Sequence, residues 1–135
     1  LGGRAAEKII FNKISTGALS DLEKVTKQAR GMVTVYGLSE KIGNLTYYDS
    51  SGQSENGFTK PYSEKTAELI DSEISDIIEK QYVRAVELLD SHKDKLTLLA
   101  ELLLEKEVIF RDDLEKIFGK RPFQVEPKVN GLEEE

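Results

Sequence analysis

Along most of the chain, apolar residues recur at three- and four-residue steps, the spacing that lines one face of a helix. From Arg4 to Phe11 the apolar positions are Ala5, Ala6, Ile9 and Ile10, which predicts a short first helix. Asn12 to Gly17 is polar, and Ser15, Thr16 and Gly17 act as breakers. A longer helix is predicted from about Leu19 to Tyr36, with Leu22, Val25, Ala29, Met32, Val33 and Tyr36 on its stripe. Ser20 stands as its N-cap, and Glu23 three residues later has the capping-box spacing. Asp21 and Glu23 in the first turn suit the positive end of the helix dipole. Gly37 suits the position just past the helix end.

The helical period is lost from Leu38 to Tyr62. Leu45-Thr46-Tyr47-Tyr48 has β character and predicts one short β-like or extended segment near 44–48. Asp49 to Thr59, rich in Ser, Gly and Asn, reads as a mobile surface loop. A third helix then runs from Glu64 to Ser91 behind Ser63 as N-cap, with Ile70, Ile74, Ile77, Ile78, Tyr82, Ala85, Val86, Leu88 and Leu89 inward. At 1.5 Å per residue it is roughly 40 Å long. A fourth helix, Asp94 to Lys106, is apolar around most of its circumference, which predicts a central position. Val108-Ile109-Phe110 links it to a fifth, Arg111 to Phe118, with Leu114, Ile117 and Phe118 inward and Gly119 at its end. The fold class is therefore mainly α, a compact bundle of about four to five helices. Residues 1–119 form its helical part, and 120–135, with Pro122, Pro127 and a terminal Glu133-Glu134-Glu135, reads as a disordered acidic tail.

Composition narrows the chemistry. A chain of 135 residues fits one domain. The absence of Cys excludes disulfides and thiolate metal sites, and the single His92 excludes a site that needs two imidazoles from one copy. A net charge of −6 argues against a nucleic-acid partner. No apolar run approaches the ~18 residues of a membrane span. The first residue is Leu1 and no signal peptide precedes it, so the expectation is a piece of a longer protein.

No glycine loop has phosphate-binding spacing, because Gly2-Gly3 lacks the lysine and hydroxyl residue that follow in such loops. No nucleophilic triad is available, and His92, between Ser91 and Lys93-Asp94, reads as a solvated loop histidine. The 25 acidic residues read mostly as solvated helix faces. One segment is less ordinary. Ser15-Thr16-Gly17-Ala18-Leu19-Ser20-Asp21-Leu22-Glu23 places a carboxylate in the first turn of a long helix, directly after a Gly-containing turn. On periodicity alone, Asp21 is a residue that suits a helix start.

Leu1-Gly2-Gly3-Arg4-Ala5-Ala6-Glu7 followed by Thr16-Gly17-Ala18-Leu19-Ser20-Asp21-Leu22 resembles the peptidase domain of the FtsH family, membrane-anchored, ATP-dependent AAA zinc metalloproteases. Ala29-Arg30-Gly31-Met32-Val33 and Tyr36-Gly37-Leu38-Ser39-Glu40-Lys41-Ile42-Gly43 resemble the family's next block. Ser63-Glu64-Lys65-Thr66-Ala67 through Ile74 resembles its next long helix, and Leu102-Leu103-Leu104-Glu105-Lys106-Glu107 its terminal helical part. The resemblance covers roughly residues 1–118.

It implies peptide-bond hydrolysis by a zinc-activated water. In the family, two zinc ligands are the histidines of His-Glu-x-x-His, whose glutamate is the general base. The third is the aspartate of Thr-Gly-Ala-x-x-Asp, which maps onto Asp21. Ser20 stands where Asn is common in the family. His-Glu-x-x-His is absent here, as is any ATPase signature. The resemblance therefore implies the C-terminal part of the peptidase domain, with Asp21 as a metal ligand and no catalytic or cofactor-binding residue otherwise in the chain. Zinc and ATP belong to the parent protein, ATP in a separate domain. The implied partners are unfolded or damaged protein substrates and a homo-hexamer. The implied location is the bacterial inner membrane facing the cytoplasm, through an N-terminal anchor, the fragment itself being soluble. Two other readings stand beside this one: a helical oligomerisation or interaction module without chemistry, and an adaptor that uses the 49–59 loop.

Overall fold

A computed structural model describes residues 1–48 and 60–121, and among these residues five helices form where the apolar period is longest. They are α1 (Gly2–Phe11), α2 (Leu19–Thr34), α3 (Glu64–Asp90), α4 (Lys93–Lys106) and α5 (Arg111–Phe118). A 3-10 turn, Thr16–Ala18, leads into α2. No strand occurs among the described residues, so the β-like reading of 44–48 resolves to irregular backbone. A main-chain bond from the Tyr47 N–H to the Thr34 carbonyl, at 2.8 Å, holds it there. The loop expected at 49–59 and the tail from 122 lie outside the described residues.

The chain falls into two compact units, Leu1–Ser91 and a second that begins at His92. In the first, α1 and α2 both pack on α3. The core is Ala29 and Val33 from α2, Ile42 from the following segment, and Ile70 and Ile74 from α3. Tyr47, Tyr62, Leu69, Ile77 and Ile78 pack around it. Ala5 of α1 and Ala67 of α3 are also buried, and their small side chains let backbones approach closely. The ring of Tyr62 meets Tyr47 edge-on at 5.1 Å, and its hydroxyl lies 3.3 Å from that of Tyr48.

Capping decides where the elements start. Ser63 caps α3, its Oγ accepting from the Thr66 N–H. The cap expected at Ser20 is not made, and Ser20 lies inside α2. The 3-10 turn runs straight into α2, and the capping side chain is Ser15, which accepts from the Gly17 N–H at 3.1 Å. α2 stops at Thr34, so Tyr36 lies past its end and is exposed rather than inward. Gly37, at φ 62°, makes the reversal expected there and turns the chain toward the Ser39–Gly43 segment.

In the second unit α4 packs on α5. The central position expected of α4 is not found, because none of its residues is buried. Leu96, Leu99 and Leu102 are half-buried on one stripe, while Leu98, Leu103 and Leu104 are exposed, Leu104 at 85%. A short helix such as α5 covers only one side of a leucine-rich cylinder. Leu114 and Phe118, expected inward, are likewise exposed. Among the described residues here, the buried side chain is Asp113, which accepts from Lys106 Nζ at 2.8 Å and from the Phe110 N–H at 3.2 Å.

Candidate functional site

Asp21 owes its place to the way the chain leaves α1 and re-enters α2. Asn12 ends α1 in a left-handed conformation, φ 48°, with its side chain accepting from Lys8 Nζ at 2.9 Å. Three residues later, Ser15 is held from several sides. Its hydroxyl donates to Glu7 Oε1, and its N–H donates to Glu7 Oε2 at 3.2 Å. Its carbonyl accepts from the Arg4 guanidinium at 2.9 Å. The same hydroxyl oxygen accepts from the Gly17 N–H and so starts the 3-10 turn. A methyl group at Gly17 would sit 3.3 Å from that oxygen, which favours glycine there. Ala18 is buried and seats the turn, and α2 begins at Leu19.

This arrangement lowers the Glu7 pKa. The Ser15 hydroxyl bond is the main cause and the Ser15 N–H the second, since both stabilise the ionised carboxylate.

Asp21 follows in the first turn of α2. Its side chain is exposed, and among the described residues it has no hydrogen-bond or ion-pair partner. The positive end of the helix favours its negative charge. Leu19, exposed at 62%, opens a shallow groove that runs along α2 past Leu22, Thr26 and Arg30. A carboxylate that is exposed and unpartnered is able to donate to an ion held partly by other groups.

By itself it is not a metal site. A catalytic zinc takes three protein ligands and a water. Among the described residues no group of three or more His, Cys, Asp or Glu is placed to hold a metal. His92 stands at the N-terminus of α4, exposed, in the second unit. The donor chemistry therefore fits one contribution to a shared site. The structure puts Asp21 in the first turn of α2, where the sequence places it, and adds the Glu7–Ser15 contact that sequence reasoning missed. The available signal was a serine two residues before a glycine, with a helical glutamate upstream.

Residues 1–117 match the model of peptidase family M41. The chain belongs to this family, the FtsH zinc metalloproteases. Over 143 aligned residues it is 52% identical to the ATP-dependent zinc metalloprotease FtsH of Parabacteroides distasonis, covering all of this chain and 21% of that protein. It is 56% identical to the protein of the same description from Karelsulcia muelleri, over 87% of this chain and 19% of the relative. The mitochondrial ATP-dependent zinc metalloprotease FTSH 3 of Oryza sativa subsp. japonica is 52% identical over 96% of this chain and 16% of its own length. The chain thus spans about a fifth of the length of these relatives. No helix among the described residues is long and apolar enough to cross a membrane.

Proposed function

We propose that residues 1–119 are the C-terminal helical part of the peptidase domain of an ATP-dependent zinc metalloendopeptidase that degrades proteins, and that Asp21 is its third zinc ligand. The observation that carries this is the exposed, unpartnered Asp21 carboxylate at the start of α2, behind an anchored turn, within the stretch that matches the peptidase family.

In this reading the other two ligands are the histidines of His-Glu-x-x-His, and the glutamate of that motif is the general base; all lie outside this chain. Zinc, when bound, lowers the pKa of its water and polarises the peptide carbonyl. The work of this chain is to present the Asp21 carboxylate and to hold α2 on α3 so that it stays in place. The chain alone supplies one ligand and is expected to be inactive. Unfolded or damaged proteins are the proposed substrates, and the parent is proposed to be a homo-hexamer. ATP acts in a separate domain, and an N-terminal anchor places the parent at the bacterial inner membrane facing the cytoplasm.

The test is casein cleavage by the full-length protein carrying Asp21→Ala. Loss of cleavage with retained ATP hydrolysis is expected. Undiminished cleavage removes the ligand assignment.

The exposed leucines and phenylalanines of the second unit favour one further reading, a helical interaction module without chemistry. Light scattering that finds the 135-residue chain monomeric at high concentration argues against it.

A further inference from the structure

We infer that Ser15 is the positioning residue for Asp21; the inference rests on the ligand reading above. Ser15 is the point where three constraints on the entry to α2 converge. Its hydroxyl and N–H are both held by the Glu7 carboxylate, which comes from a formed helix. Its carbonyl is held by Arg4 of the same helix. Its hydroxyl oxygen also accepts from the Gly17 N–H, which makes it the cap of the turn. Five residues separate Ser15 from Asp21, and all of them lie in the 3-10 turn or α2. A rigid path of that length transmits the setting of its first residue to its last. Asp21 has no bond of its own among the described residues, so its position comes from the backbone that carries it.

The hydroxyl is the part that no other group replaces. With alanine at 15, Glu7 keeps the main-chain N–H but loses its hydroxyl donor, and the Gly17 N–H loses its acceptor. The turn is then free to open, and the first turn of α2 moves with it. Threonine keeps the hydroxyl, and its branched side chain suits the extended backbone at φ −112°, ψ 177°. Groups that orient a metal ligand from behind typically change affinity by about 10- to 100-fold when removed.

The experiment compares full-length proteins carrying Ser15→Ala, Ser15→Thr, Arg4→Ala and Asp21→Ala. Zinc affinity is read by chelator competition, the visible spectrum after substitution with cobalt(II), and kcat and KM on casein. Ser15→Ala is expected to weaken zinc binding on the order of 10- to 100-fold. It should also alter the cobalt spectrum and lower kcat more than it raises KM. Ser15→Thr is expected to restore all three. Arg4→Ala, which loosens the same residue from the carbonyl side, is expected to act in the same direction by a smaller factor. A purely structural role would lower the melting temperature without moving the cobalt spectrum, and that outcome overturns the inference. So does a Ser15→Thr protein as defective as Ser15→Ala. If Ser15→Ala does not fold, wild-type zinc affinity in Arg4→Ala overturns it. If Asp21→Ala loses zinc while Ser15→Ala keeps it, only this inference fails; if Asp21→Ala keeps zinc, the ligand reading fails first.

Discussion

Ser39 donates its hydroxyl proton to Glu73 Oε2 at 2.7 Å, a bond between residues 34 positions apart in the sequence. Both side chains are buried, and the bond ties the segment after α2 to the middle of α3. Lys41 completes the pairing on the other carboxylate oxygen and reaches Asp76 at 3.1 Å. The Ser39 hydroxyl also accepts from the Ile42 N–H, so the same contact seats Ile42 in the core. This fastening gives α2 a fixed relation to α3, and so fixes the helix whose first turn holds Asp21.

Removing the carboxylate is expected to cost more than removing its cation. Glu73→Ala leaves the buried Ser39 hydroxyl unpaired and should cost about 1.5–3 kcal/mol, the range for hydrogen bonds to charged groups. Lys41 is half-exposed and screened by solvent, and Lys41→Ala should cost less than Glu73→Ala. Urea denaturation of the two variants checks the order, and equal costs would show that the ion pair dominates the hydrogen bond.

The core makes a separate demand. Ile70 is 1% exposed and sits among Ala29, Val33, Ile42 and Ile74. Ile70→Ala is expected to lose about 2–5 kcal/mol through lost burial and the remaining cavity. Calorimetry that finds less than about 1 kcal/mol would place this side chain outside a close-packed interior.

Stability should fall at both ends of the pH range, for different reasons. Glu73 is held below the ordinary carboxylate value, first by Lys41 and then by the Ser39 hydroxyl. Asp113 is held below it by Lys106 and then by the Phe110 N–H, and Glu7 by Ser15. A carboxylate lowered on folding stabilises the protein above its unfolded pKa and loses that contribution as pH falls through the folded value. Stability is therefore expected to drop once pH falls below the ordinary carboxylate values of 4.5 for Glu and 3.8 for Asp. At the alkaline end, the bond with Tyr48 and burial push Tyr62 from 10.0 up to about 12. Lys41 is raised by Glu73 and then Asp76. Groups raised on folding contribute below their unfolded pKa and lose the contribution as pH rises through the folded one. A second decline is expected from about pH 10, and Tyr62→Phe should weaken it. A melting temperature that does not change between pH 7 and 3 would contradict the acid limb.

The second unit is expected to loosen first when its cap is removed. Asp113 holds the start of α5 and the end of α4 together through the Phe110 N–H and Lys106. In Asp113→Ala, the backbone amides of α5 should exchange with deuterium faster, while those of α2 and α3 keep their protection. Equal acceleration in all the helices would show that the effect is global.

Much of this was legible in the sequence where one physical signal was strong. α3 has a long isoleucine stripe and Ser63 in front of it, and both its start and its cap are found where expected. Gly37 marked a reversal because a positive φ favours glycine. The Ser20 cap misled because two serines lie near the start of α2, and spacing alone does not show that the first one caps a turn that continues into the helix. α4 misled because leucines around a cylinder imply burial only where other elements exist to cover it. Asp21 was legible as a carboxylate at a helix start. The grip of Glu7 on Ser15 was not, because it joins residues eight apart through a bend that no periodicity describes.

If Asp21 donates to zinc, as proposed, the metal content of the protein depends on its carboxylate. Full-length protein carrying Asp21→Asn, which keeps the size of the side chain and removes its charge, is purified beside the wild type and analysed for zinc. About one zinc per chain is expected in the wild type, the occupancy of a three-ligand site, and a small fraction of that in the variant, both being equally folded by circular dichroism. A variant that retains wild-type zinc through dialysis against chelator would contradict the ligand assignment.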